Sequence, residues 1–284
     1  MMRGTIYRQQ AYFHVLRIHL YLFIILACVE EDGVQRELEG QVALVTGSAR
    51  RLGKAIALEL ARAGSDILIH YGSTAEEIVA ETLNELKQCA VRAEAKQADL
   101  SQAEASEDLV QCAVERWGRL DILVNSAAIF QKRELMEVTR QDWERTLAIN
   151  LSAPFFLSQA AARIMKQNGR GTIIHLGDYG SLQPWPNYAH HGISKAALIM
   201  LTRTSALSLA PEIRVNAVIP GPVLRPEQMA EEVWAKISQS PPLAWGGDEH
   251  SVAKAVRFLA CHPAITGAVL PVDGGHSLTP PKWR

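Results

Sequence analysis

The chain has 284 residues, 48% of them hydrophobic and 21% charged, with a formal net charge of −1. That is the composition of a globular protein long enough to bury a large core, and its near-neutral balance gives no electrostatic case for nucleic acid or an anionic membrane surface as partner. The four cysteines (Cys28, Cys89, Cys112 and Cys261) form no CxxC pair, and the nine histidines include no HExxH, so reduced thiols and no metal site are expected.

Residues 1–38 read as an N-terminal extension. Ala11 to Cys28 is apolar but broken by His14, Arg17 and His19. The clean run from Leu20 to Cys28 is too short for a bilayer-spanning helix, which needs about 20 residues. Arginines ahead of an apolar run resemble a signal peptide or anchor. A disordered extension, or an artefact of too early a start with Val34 as the true one, is the reading favoured, with a cytoplasmic location.

From Gln41 apolar strands alternate with amphipathic helices. Strands are expected at Val42–Thr46, Asp66–Tyr71, Ala93–Gln97, Ile122–Asn125, Gly171–Leu176, Ile213–Val218 and Val269–Val272. Helices are expected at Gly53–Ala63, Ala75–Gln88, Ala103–Trp117, about Gln141–Gln167 and Ile193–Leu209. This alternation predicts one α/β domain over residues 39–278, a Rossmann-type doubly wound parallel sheet with helices on both faces, and a short tail at 279–284. The Pro/Gly-rich stretches at Pro220–Pro226 and Pro241–Gly247 follow the sixth strand, where a substrate loop would lie.

The first strand ends in Thr46-Gly47-Ser48-Ala49-Arg50-Arg51-Leu52-Gly53 and a helix follows at once. Glycines let backbone turn tightly and approach a pyrophosphate, and the helix N-terminus offers N–H groups and a positive dipole end to it. An NAD site places Asp or Glu about 20 residues on, at the second strand's tip. Here that tip is His70-Tyr71-Gly72-Ser73-Thr74, without an acid, while Arg50 and Arg51 stand in the loop. A guanidinium can clamp a 2′-phosphate, so NADPH is the expected cofactor.

These pieces, with Asp99-Leu100, Asn125-Ser126-Ala127-Ala128, Asn150, Ser194-Lys195-Ala196-Ala197, Pro220-Gly221-Pro222-Val223, Thr266-Gly267 and Val272-Asp273-Gly274-Gly275, resemble the short-chain dehydrogenase/reductase family. Within it the chain is most similar to the pteridine reductases, through Arg51-Leu52-Gly53, His70-Tyr71, and Asp178 where most members carry a catalytic serine. The resemblance implies that Gly47, Arg50, Leu52 and Gly53 form the phosphate loop. Arg51, His70, Tyr71, Ser73 and Thr74 surround the adenosine phosphate. Asp99 and Leu100 hold the adenine, Asn125 and Ala127 line the ribose and nicotinamide path, and Pro220 and Gly221 complete the cofactor site. Lys195 binds the nicotinamide ribose and assists the proton donor, and Asn150 holds a relay water. It also implies a homo-oligomer, a dimer or homotetramer, paired through helices 141–167 and 193–209, with Ala160, Ala161, Ala162, Ala196 and Ala197 allowing close contact.

One position departs from the family. Four residues before Lys195, where its members carry a tyrosine, stands His191. Positions i and i+4 share a helix face, so His191 still points with Lys195. Three groups could then deliver the proton: His191; Tyr188, if the chain before the helix brings it in; or Asp178, if apolar surroundings and bound substrate raise its pKa. The expected activity is NADPH-dependent reduction of a small carbonyl or imine, a pteridine among the candidates. The alternatives are a 3-oxoacyl thioester reductase, or an NADP-binding sensor or assembly protein without turnover.

Overall fold

Short β-branched and leucine-rich runs, apolar on both sides, can be satisfied only by a sheet covered on both faces. The computed structural model, which describes residues 36–226 and 229–279, has that arrangement. The expectations for residues 1–35 and 280–284 lie outside the described residues. In chain order the elements are β1 (Val42–Val45), α1 (Arg51–Arg62), β2 (Asp66–Tyr71), α2 (Glu76–Lys87), β3 (Ala93–Gln97), α3 (Ala105–Trp117) and β4 (Ile122–Asn125). Then come α4 (Arg140–Leu147), a π-helical turn (Ala148–Ser152), α5 (Ala153–Gln167), β5 (Gly171–Leu176) and α6 (Ala189–Leu209). The chain continues through β6 (Ile213–Pro220), α7 (Glu231–Ser238), α8 (Glu249–Cys261) and β7 (Val269–Val272).

The sheet has seven strands in the order β3-β2-β1-β4-β5-β6-β7. Every pairing is parallel. Register places Leu44 beside Leu68 and Leu123, Leu123 beside Ile173, and Ile173 beside Val215. This row packs on α3 and α5, and its neighbours Val45, Ile69, Val124 and Ile174 pack on α1, α2 and α8. Each such fully buried side chain contributes roughly 1.5–3 kcal/mol. β1 lies between β2 and β4, so the chain direction across the sheet reverses there. The crevice beyond the carboxyl ends of β1 and β4 is where such folds bind ligands.

Four differences from the expected elements have physical causes. Helix α6 begins at Ala189, not Ile193, and so takes in His190 and His191. The long 141–167 helix is interrupted by one π turn, which holds Asn150. Such a bulge re-aims a side chain inside a helix and is frequent at functional sites. Helices α7 and α8 were not anticipated. For α8 the signal was present: Asp248 caps it, its side chain accepting from Ser251 N at 2.7 Å, and Val252, Val256 and Leu259 form one apolar face. Finally, Leu38 is buried in the core and its N–H donates to Ala63 O, so the packed unit includes residues assigned above to the extension. No helix among the described residues is long and apolar enough to cross a membrane.

Candidate active site

The β1–α1 loop is built for close approach. Gly47 has φ +63°, and a Cβ there would stand 2.9 Å from Ala127 Cα. A Cβ on Gly53 would stand 2.2 Å from Gly47 O, so only glycine lets α1 start against the loop. Helix α1 has neither a side-chain cap nor an acid in its first turn, leaving its N–H groups and positive dipole end available to an anion. Thr46 Oγ1 ties the loop to the end of β4 by accepting from Ser126 N and Ala127 N, both at 3.0 Å. These residues fit a dinucleotide pyrophosphate.

His70 has a different place from the one expected. It is buried, its Nδ1 accepts from Gly47 N at 3.0 Å, and its Nε2 bonds Ala98 O at 3.1 Å. Burial holds its pKa below the ordinary value, against the opposing Ala98 hydrogen bond. The ring is therefore a neutral brace under the phosphate loop and not a ligand of a phosphate. Tyr71 packs on the core, while Ser73 and Thr74 follow at the rim. Arg50 and Arg51 are exposed on the loop, and Arg51 Nη2 donates to Arg225 O at 3.0 Å in the segment after β6. Leu52 is half-buried against the core.

Asp99 is exposed and caps its own turn, accepting from Ser101 N and Oγ, which lowers its pKa. Leu100 is in the core. The Asn125 amide is buried against His175 Nδ1 (3.1 Å) and Ser158 Oγ (3.5 Å), at the end of β4. Ala127 lies against Gly47. Pro220 ends β6, and Gly221 N donates to Val272 O at 2.9 Å, joining the edges of β6 and β7.

The candidate acid–base groups meet at the carboxyl end of β5. Lys195 is buried, and its Nζ donates to Leu176 O at 2.7 Å. Burial lowers its pKa, with the Asp178 charge opposing. His191, one turn before it, bonds Asp178 Oδ2 through Nε2. Its Nδ1 stands 3.1 Å from Ile129 O and 3.3 Å from Asn150 Nδ2. Asn150 is fixed on both sides: it accepts from Ile129 N at 2.9 Å and donates to Ile129 O at 3.1 Å and Ser194 Oγ at 3.2 Å.

For Asp178, burial opposes ionisation, but the His191 hydrogen bond, the His191 charge and Lys195 together leave its pKa below the ordinary carboxylate value. Burial thus acts in the direction considered from sequence, and His191 and Lys195 outweigh it. Tyr188 is the residue before α6, with φ −136°, and its ring stacks on Phe130 (centroids 4.4 Å, 12°) and leans on Trp185. Among the described residues its hydroxyl makes no hydrogen bond to Asp178 or His191. The aromatic wall of Phe130, Trp185 and Tyr188, the buried His175 and the Ile129 carbonyl were not anticipated. Of these only Tyr188 is marked by the sequence. The others carry no motif, and their roles follow from how the segment after β4 folds over α6.

The chain matches the family model described as enoyl-(acyl carrier protein) reductase over residues 47–277. It is similar to the 3-oxoacyl-[acyl-carrier-protein] reductase of Synechocystis sp., 35% identical over 246 residues that cover 84% of this chain and 97% of that one. Among solved structures it resembles FolM alternative dihydrofolate reductase 1 from Brucella canis, complexed with NADP (TM-score 0.82, 31% identity, 87% of this chain and 98% of that one). It also resembles carveol dehydrogenase from Mycobacterium avium, in complex with NAD (TM-score 0.79, 30% identity, 86% and 99%). With the family model matching residues 47–277 and these relatives matched over nearly their whole length, the chain belongs to the short-chain dehydrogenase/reductase family of oxidoreductases.

Proposed function

We propose that this protein is an NADPH-dependent reductase of a small carbonyl or imine substrate, with His191 in the position of the family's tyrosine. The observation that carries the reading is the convergence of His191, Lys195, Asn150 and Asp178 at the carboxyl end of β5. Bound NADPH would supply a hydride to the substrate carbon. Gly47, Gly53 and the start of α1 would hold its pyrophosphate, and Arg50 and Arg51 its 2′-phosphate. The Lys195 ammonium, anchored on Leu176 O, would meet the nicotinamide ribose. Selection of NADPH over NADH rests on those arginines and on the acid-free tip of β2, and FolM, crystallised with NADP, supports it. Carveol dehydrogenase, with NAD, marks the fold as compatible with either.

A pteridine-like substrate is favoured by Arg51-Leu52-Gly53, His70-Tyr71 and Asp178, and by likeness to an alternative dihydrofolate reductase. A 3-oxoacyl thioester is the second candidate, through the Synechocystis relative. Stopped-flow NADPH oxidation against dihydropteridines, quinones and 3-oxoacyl thioesters tests the proposal. Turnover is expected with at least one class. Tight NADPH binding with no turnover on any would favour the cofactor-binding sensor or assembly protein. A homo-oligomer is also proposed, through the expected helices α5 and α6, on which Ala196 is exposed and Ala197 lines an apolar face. Ala160, Ala161 and Ala162 are buried inside the subunit, while Phe155, Phe156 and Met200 expose an apolar face across α5 and α6.

A further inference from the structure

Hydride addition leaves negative charge on the substrate heteroatom, so the site must contain a proton that can reach it. His191 is badly placed to deliver one directly. Its side chain is 2% exposed, against 26% for Asp178. Phe130 packs edge-on against the imidazole with centroids 4.9 Å apart. Both ring nitrogens are occupied, Nε2 by Asp178 and Nδ1 by the Ile129 and Asn150 groups.

A proton on Nδ1 is held by Ile129 O, and both N–H bonds of Asn150 already have acceptors in Ile129 O and Ser194 Oγ. The ring therefore gains and loses its second proton at Nε2, the nitrogen that faces Asp178 Oδ2.

We infer that Asp178 and His191 hold one proton between them, and that Asp178 is the catalytic residue that hands it to the substrate, with His191 the buried positioning residue that supplies it. This rests on the reading of the protein as a reductase. With the hydride from NADPH added at carbon, the Nε2–H bond of the His191 imidazolium breaks. The proton passes through Asp178 Oδ2 to the oxygen or nitrogen that has gained the electron pair of the double bond. A carboxylate, a neutral imidazole and NADP⁺ remain, and solvent restores the proton. The other titratable groups acting on the pair are Lys195 and His190 on α6, with Tyr188 beside it. His190 in turn feels Asp142 on α4 and Arg133. The proton belongs to the pair, so one apparent ionisation should govern both groups.

The test combines kinetics with a titration that needs no turnover. In ¹⁵N-histidine-labelled protein saturated with NADP⁺, the His191 ring should titrate in one step, and Asp178→Asn should move that step to lower pH by at least one unit. In steady state, kcat of the wild type should fall with pH along a single-proton limb matching that step. Tyr188 as donor, its pKa raised by burial, would hold activity to above about pH 10. Asp178→Asn should lower kcat at least 100-fold with NADPH affinity within twofold, the scale of a lost general acid. If Asp178→Asn keeps kcat within threefold and only shifts the limb, His191 delivers directly and the relay is wrong. A His191 step that ignores Asp178→Asn overturns the shared proton. Should that variant not fold, a wild-type limb that disagrees with the His191 step overturns it equally. The expected titration without turnover on any substrate would refute the reductase reading and leave the shared proton standing.

Discussion

His175 on β5 should make this fold sensitive to acid in a way that can be calculated. The side chain is fully buried, and its Nδ1 accepts from Asn125 Nδ2 at 3.1 Å. Burial, with a smaller contribution from the Lys195 charge, pushes its pKa from 6.5 down to about 3. The unfolded chain therefore binds this proton more readily than the folded one. Stability from the neutral ring is complete above about pH 6.5 and is lost as pH falls toward 3. Linkage gives a loss of about 2.7 kcal/mol at pH 4.5 relative to pH 7.5 from this residue alone. Urea unfolding of the wild type and His175→Leu at both pH values isolates it, because His70 and the other histidines contribute equally to both proteins. The variant loses a hydrogen bond and is less stable at pH 7.5, but its stability difference between the two should be smaller by about 2–3 kcal/mol. An equal difference in the two proteins would refute the reasoning.

Three further perturbations test the site and the proposed interface. Gly53→Ala would normally favour a helix by about 1 kcal/mol, but here the new Cβ meets Gly47 O at 2.2 Å. Thermal melts should show a loss of about 1–3 kcal/mol, and titration calorimetry at least a tenfold weaker NADPH affinity. Arg51→Ala should weaken NADPH by roughly tenfold or more, the worth of a charge-assisted hydrogen bond, and leave NADH within twofold. Equal effects on both cofactors would remove Arg51 from the 2′-phosphate. Phe155→Glu combined with Met200→Glu places charge on the exposed α5–α6 face and should yield a monomer by analytical ultracentrifugation, while an unchanged assembly state would move the interface elsewhere.

Much of the fold was legible because periodicity and punctuation agree. Val42–Val45, Ile122–Asn125 and Gly171–Leu176 are short apolar runs bounded by turns, and all three are strands. The phosphate loop was legible because Gly47 and Gly53 are needed sterically. What escaped depends on direction within a correct element. His70 lies at the expected strand tip, but only the tertiary structure aims its ring between Gly47 and Ala98. Ala160 to Ala162 are on the expected helix, but its inward face is set by how α5 meets α3 and the sheet. The pairing of Asp178 with His191 joins residues on either side of the β5–α6 connection, and no local pattern encodes it. Asn150 was found, but the π turn that aims it was not, since a single extra residue in a helical turn leaves the apolar spacing almost unchanged.

The central claim is hydride transfer from NADPH at this site. Single turnovers with NADPH deuterated at C4 on the transferring face, followed by mass spectrometry of the products of the dihydropteridine, quinone and 3-oxoacyl thioester panel, test it most directly. The account predicts one deuterium at the reduced carbon of at least one product. NADPH bound tightly, with no deuterium in any product, would contradict it.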